Sequence, residues 1–341
     1  MGQVFCTRGP VPPDSPTYVE RAADRELRQR LLAMNYAWLA EPPRMGKTSL
    51  LYRLRTQPIS DDYTLAYVDL EGLDRGGEAK WYRGLCSRLA PQLEGAAKGL
   101  PEVGDRPGFG HFLRCLAEWA AKSSHRIAIA LDALERVPKD FAAGFFGAIR
   151  KALDARRSEP CFRNLTFILA GAFDPHDLSE ASRLPPFPLT QRVALRDFYR
   201  PQVRQLVDLL GVTGDAAAIA DRIYHWTSGQ PYLTQRVCAL LAEGDLPLTS
   251  EGVDRAAERI WQEGDEHLSH IFKGLEEAPR AREYLERIMA DQPLRFAPST
   301  NRLQARLALL GVIKADGRGR CIVRNKIYQE ALESYFHDRG K

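Results

Sequence analysis

EPPRMGKTSL, residues 41–50, comes within one residue of a phosphate-binding loop. The pattern that cradles nucleotide phosphates is glycine, four residues, glycine, lysine, then serine or threonine. Gly46, Lys47 and Thr48 are in place, and Glu41 holds the first glycine position. The short apolar run NYAWLA (35–40) precedes the loop and TSLLYRLRTQ (48–57), with helical apolar spacing, follows it. The loop therefore joins a strand to a helix, the context the motif requires. In such a loop the backbone amides and the helix N-terminus face the phosphate oxygens, Lys47 reaches the β and γ phosphates, and the Thr48 hydroxyl holds Mg²⁺.

Outward from the loop, ERAADRELRQRLLAM (20–34) has helical spacing, and YTLAYVDL (63–70), RIAIALDAL (126–134) and LTFILAGAF (165–173) read as apolar strands. The stretch 78–121 reads as helices around a loop. Continuous apolar strands separated by helices predict a parallel sheet covered on both faces, an α/β nucleotide-binding core. After PPFPLTQ (185–191) the strands stop, and helices are predicted over 196–211, 215–229, 231–244 and 253–264. Helical segments at 265–276, 280–291 and 299–313, then the turn ADGRGR (315–320) before CIVRN, give the order of a winged helix. The expected domains are an irregular arm (1–17), a P-loop core (18–192), a helical subdomain (193–264) and a winged-helix domain (265–341).

Asp132, at the end of an apolar strand, is placed to hold Mg²⁺ through water. The next residue is Ala133, where a hydrolase needs an acid to polarise the attacking water, so the general base is missing and hydrolysis is expected to be weak or absent. Glu135 is the remaining candidate if the strand end curls into a helical turn; the plainer reading is a solvated helix-start carboxylate. Glu41 predicts weakened binding, because a carboxylate at the mouth of the loop repels phosphate and a side chain adopts glycine's positive φ only with strain. Most donors lie downstream, at residues 44–48, so Arg44, Met45, Gly46, Lys47, Thr48 and the adjoining Ser49 form the candidate cradle. The combined change Ala133→Glu with Glu41→Gly is expected to raise turnover.

The chain has 341 residues, enough for two or three domains. A formal charge of +4 is too small a field to argue for nucleic acid by itself. Its six cysteines lie far apart with no Cys-x-x-Cys pair, which argues against a zinc site or a disulfide framework and for reduced thiols in a cytoplasmic protein. No run of about eighteen apolar residues occurs and the start lacks an apolar signal core, so neither a membrane span nor a signal peptide is expected.

Read together, these stretches resemble the AAA-like branch of bacterial STAND proteins, signal-transduction ATPases with numerous domains, from about residue 17 to the C-terminus. YVERAADREL (18–27) is similar to the family's adenine-side motif, with Val19 and Arg21 retained and Glu20 where glycine is usual. PRMGKTSLL (43–51) resembles its phosphate loop and IAIALDALE its Mg²⁺ strand. LTFILAGAFDPHDL (165–178) resembles the sensor strand and its exit, without the Arg or Asn some relatives carry there. WTSGQPYLTQRVC (226–238) resembles the Gly-x-Pro segment, which places Gly229 and Pro231 against the nucleotide, and LLGVIKADGRGRCIVRNKIYQEAL (309–332) the winged helix.

The resemblance implies a switch in which ATP or ADP, with Mg²⁺, sets the angle between core and winged helix. It also implies protein partners, an effector or sensor on another chain or outside these residues, in a bacterial signalling or defence system, with oligomerisation as a further option. Departures at Glu20, Glu41 and Ala133 mark a degenerate member. Two alternatives stand beside this reading. One is a DNA-binding regulator using Arg302, Arg306, Lys314, Arg318, Arg320, Arg324 and Lys326 on the winged helix. The other is a nucleotide-free interaction module, a pseudo-ATPase.

Overall fold

The apolar runs become the strands of one parallel sheet. β1 (Ala37–Ala40), β2 (Tyr63–Asp69), β3 (Arg126–Asp132) and β4 (Leu165–Gly171) lie in the order β1-β4-β3-β2. Every position of β1 and β4 is buried, as strands covered on both faces require. The register pairs Ala40 with Gly171 and Asp69 with Asp132, and Leu131 with Leu169, so the C-terminal ends of the strands converge at one edge. In open α/β sheets that edge is where ligands bind. Beyond β1, Arg192 adds an isolated parallel bridge to Trp38.

This computed structural model describes residues 5–57, 59–93, 95, 96, 99–173 and 191–339. It divides into two units, the first being Ala22–Glu41 with Lys47–Leu195 and the second Met1–Arg21, Pro42–Gly46 and Arg196–Lys341. The predicted sensor-strand exit and PPFPLTQ fall largely within 174–190, outside the described residues.

Helices α1 (Ala22–Leu32), α2 (Lys47–Thr56), α3 (Glu78–Leu89), α4 (Arg106–Lys122) and α5 (Lys139–Asp154) accompany the sheet in the first unit. Asp105 caps α4 by accepting from the Gly108 amide at 2.7 Å, and Phe109, Phe112, Leu113, Leu116 and Ala120 form its buried stripe. Trp81 of α3 meets Phe145 of α5 edge-on at 4.9 Å, an arrangement that contributes on the order of 1 kcal/mol beyond burial. Helix α5 did not emerge from the sequence reading, whereas β3 ends at Asp132 as read, because Ala133 is left-handed, with φ 59° and ψ 47°.

The second unit is helical. It contains α6 (Arg200–Asp208), α7 (Ala216–Thr227), α8 (Pro231–Ala242), α9 (Ser250–Gln262), α10 (Glu266–Glu276), α11 (Pro279–Met289) and α12 (Arg302–Leu309). The antiparallel hairpin β5 (Ile313–Ala315) with β6 (Cys321–Val323) and then α13 (Lys326–Arg339) complete it. Side-chain caps set the helix starts: Asp215 for α7, Thr249 for α9, Asp265 for α10 and Asn301 for α12. Thr249 is why α9 begins at Ser250 rather than at the predicted 253. One apolar core runs from Phe5 and Val19 through Val203, Leu233 and Val253 to Ile327, and it includes Trp226.

Candidate functional site

Lys47 opens α2, and its ammonium donates to the carbonyl oxygen of Glu41 at 2.8 Å. The Thr48 hydroxyl donates to Asp132 Oδ2 at 2.6 Å. Asp132 is 4% exposed, and its other oxygen accepts from the Ala133 amide at 2.9 Å. Burial raises the Asp132 pKa, opposed by the hydrogen bonds from Thr48 and Ala133 and by the charge of Lys47. Burial likewise lowers the Lys47 pKa, opposed by Glu135, Asp132 and Glu41. A desolvated ammonium, a hydroxyl and a buried carboxylate at the C-terminal edge of a parallel sheet suit a phosphate with a divalent cation. A hydroxyl that gives its proton to a carboxylate still has lone pairs for a metal. Ser49 is buried in the same helical turn.

Glu41 departs from its expected role. It is 7% exposed, and its carboxylate turns to Arg192, 2.9 Å away, and to the Leu195 amide at 3.3 Å. Only its backbone carbonyl meets Lys47. Nor does Glu41 carry the strained backbone: among the described residues of the loop, positive φ falls on Arg44 (63°) and Gly46 (83°). The strain expected of Glu41 is therefore absent at this position, and its carboxylate is paired with Arg192 and the Leu195 amide. Ala133 does lack a carboxylate, and the condition set for Glu135 is met, because a 3₁₀ turn spans Leu134–Arg136.

Within the second unit the loop residues Pro42–Gly46 have their own set of holders. Arg21 donates to the Met45 carbonyl at 2.9 Å, and Gln230, between Gly229 and Pro231, donates to the Arg44 carbonyl at 3.3 Å. Arg324 reaches the Met45 sulfur at 3.2 Å, and Arg44 lies over the Tyr232 ring at 5.0 Å. A Cβ on Gly46 would sit 3.0 Å from the Arg21 guanidinium at a φ that favours glycine. Gly229 is fixed by backbone geometry, with φ 76° and the Phe198 carbonyl where a Cβ would go; Pro231 is the first residue of α8. Val19 packs in the apolar core. Arg21, Arg44, Met45, Gly46, Gly229 and Pro231 are thus neighbours, as are Lys47, Thr48 and Asp132 in the first unit.

A family model described as an AAA-like domain matches residues 6–338. The chain belongs to the AAA-like domain family. An uncharacterized WD repeat-containing protein of Synechocystis sp. is 31% identical over 301 residues, 83% of this chain. The chain spans a quarter of that relative's length, 25%. Among solved structures, the Aeropyrum pernix ORC2 protein in its ADPNP–ADP complexes is similar at 14% identity and TM-score 0.49, over 99% of this chain and 98% of that one. Cdc6p of Pyrobaculum aerophilum is similar at 15% identity and TM-score 0.42, over 95% of this chain and 96% of that one.

Three residues of this AAA-like chain escaped the sequence reading. Tyr67 of β2 donates to Asp132 Oδ2 at 3.2 Å, Arg192 neutralises Glu41, and Asp197 gathers Arg324 and Lys314. Only the parallel register, which sets β2 beside β3, could have indicated Tyr67. Asp197 also changes the reading of the basic set. Arg324 is 9% exposed and bound to Asp197 at 2.9 Å, and Lys314 lies 3.6 Å from the same carboxylate. Arg320 pairs with Asp316 at 2.8 Å, Arg306 lies 3.9 Å from Glu277, and Lys326 lies 4.6 Å over the Trp226 ring. Arg302 and Arg318 are exposed. Five of the seven cations, Arg306, Lys314, Arg320, Arg324 and Lys326, are thus engaged within the chain rather than forming one uncommitted stripe.

Because Arg324 is buried, removing its counter-charge should cost stability. Asp197→Asn is expected to lower the urea midpoint by an amount equivalent to about 1.5 kcal/mol, the value of a charged hydrogen bond. An unchanged midpoint would show that Arg324 does not depend on this pair.

The cysteines are all free thiols, and among the described residues no group of three His, Cys, Asp or Glu side chains could hold a metal. No helix of the described residues is long and apolar enough to cross a membrane.

Proposed function

We propose that this AAA-like domain is a nucleotide-binding switch or scaffold of the STAND type, which holds ATP or ADP with Mg²⁺ and turns over slowly. The observation that carries the reading is the arrangement of Lys47, Thr48 and Asp132: a desolvated ammonium one residue from a hydroxyl already aligned on a buried carboxylate. Lys47 binds phosphate, while Thr48 and Asp132 hold the cation. Arg21, Gln230 and Arg324 support the loop by its carbonyls and by Met45. Residues 18–192 act as the core, 193–264 as the lid and 265–341 as a winged helix whose order, three helices and a hairpin, supports that reading.

Occupancy of the site is what protein partners read, in a cytoplasmic bacterial signalling or defence system. A WD repeat-containing relative of which the match covers only 25% supports attachment to interaction modules. The ion pairs of the basic set favour this reading over a DNA-binding regulator.

The test is heat stability with ATP, ADP and Mg²⁺. A ligand at 100 times its Kd that binds only the folded form adds about 2.7 kcal/mol, which for a domain of this size raises Tm by roughly 4 °C. Either nucleotide is expected to produce that shift, and chromatography of denatured purified protein is expected to release ADP or ATP. No shift with either nucleotide, together with no released nucleotide, would remove the proposal.

A further inference from the structure

We infer that Glu135 is the general base for nucleotide hydrolysis at this site, replacing the acid that position 133 lacks, and that Gly171 is bare because Glu135 needs its space. The inference rests on the nucleotide-binding reading above. Ala133 is left-handed, so the chain leaves β3 in a sharp turn and enters the 3₁₀ turn Leu134–Arg136. That turn carries Glu135 to the end of the neighbouring strand β4, where its Oε2 accepts from the Ala172 amide at 2.8 Å. A Cβ on Gly171 would lie 2.5 Å from Oε2 and 2.8 Å from the Leu134 amide nitrogen, so any other residue there would displace the turn. Position 171 thus has no side chain of its own at the strand end, and the Glu135 carboxylate occupies the space.

Position and availability both favour Glu135 over Asp132. Asp132 is buried and committed, with Oδ2 accepting from Thr48 and Tyr67 and Oδ1 from Ala133. Glu135 is exposed, and among the described residues its Oε1 accepts no hydrogen bond. Gly171, against which the Glu135 carboxylate sits, accepts from the Glu41 amide at 3.1 Å, and the Glu41 carbonyl in turn accepts from Lys47, so carboxylate and ammonium flank the same strand ends. An amide-anchored carboxylate with one open oxygen can orient a water. In the step, the water oxygen bonds to the γ-phosphorus of ATP as the bond to the β,γ-bridging oxygen breaks. ADP leaves with the electron pair, and the water's proton passes to Glu135 and then to solvent.

The experiment measures phosphate release from γ-labelled ATP over hours, with protein in excess, beside the Tm shift given by ADP. The unmodified chain is expected to release phosphate slowly. Glu135→Gln should release it about 100-fold more slowly while keeping the ADP shift, and Gly171→Ala should do the same by displacing the carboxylate. Ala133→Glu in the Glu135→Gln background should not restore release. Phosphate release by Glu135→Gln at the unmodified rate would overturn the inference, as would no release from an unmodified chain that still gives the ADP shift. A chain that shows no nucleotide shift at all removes the binding reading and this inference with it.

Discussion

Lys47→Ala is expected to abolish the thermal stabilisation that ATP and ADP confer, while leaving the unliganded protein folded. The ammonium is held in a poorly solvated position, and burial lowers its pKa against the fields of Glu135, Asp132 and Glu41. A charge kept in such a place is poorly explained by stability, since its hydrogen bond goes to a backbone carbonyl that an alanine variant could leave to water. In the proposed site the ammonium also meets phosphate. Charged hydrogen bonds of this kind are each worth about 1.5–3 kcal/mol, so losing them should weaken binding about 100-fold. Isothermal titration with ADP and Mg²⁺ on both proteins gives the comparison. Equal affinities would mean that the anion lies elsewhere.

The second large effect reverses what the sequence suggests. Glu41→Gly brings the loop closer to the family pattern and would be expected to improve it. In the folded chain it instead removes a buried carboxylate that accepts from Arg192 and from the Leu195 amide. Arg192 is about half exposed and can be rehydrated, but Leu195 is 2% exposed and its amide would lose its acceptor. The lost bonds and the added backbone freedom of glycine together come to about 2–3 kcal/mol, and thermal unfolding should show a Tm lower by roughly 3–4 °C. Glu41→Gln, which keeps an acceptor, should lose less. Pairing Glu41→Gly with Ala133→Glu should fare no better, because a glutamate at 133 must adopt a left-handed backbone at a cost of about 1 kcal/mol or more. A more stable Glu41→Gly protein would contradict this account of the loop.

Local spacing carried a large part of the site. Gly46, Lys47 and Thr48 between an apolar strand and an amphipathic helix, and Asp132 at the end of an apolar run, were legible because each depends on neighbours a few residues away. The left-handed turn at Ala133 was not, since nothing in LDALER demands it until Gly171 leaves room beside Leu134 and Glu135. Likewise the basic residues of the C-terminal segment read as a possible binding stripe until Asp197, 127 positions before Arg324, took two of them.

By itself the sequence determined the parallel α/β core, the helical segments after it and the strand–loop–helix around Lys47, because hydrophobic period and turn chemistry act over short stretches of chain. Tertiary structure alone decided what the irregular residues do. Glu41 faces an arginine 151 residues away, and Glu135 faces an amide 37 residues away. A parallel sheet brings its strand ends together from distant parts of the chain, so the partner of a charged side chain at that edge is fixed by strand order and not by neighbours in sequence.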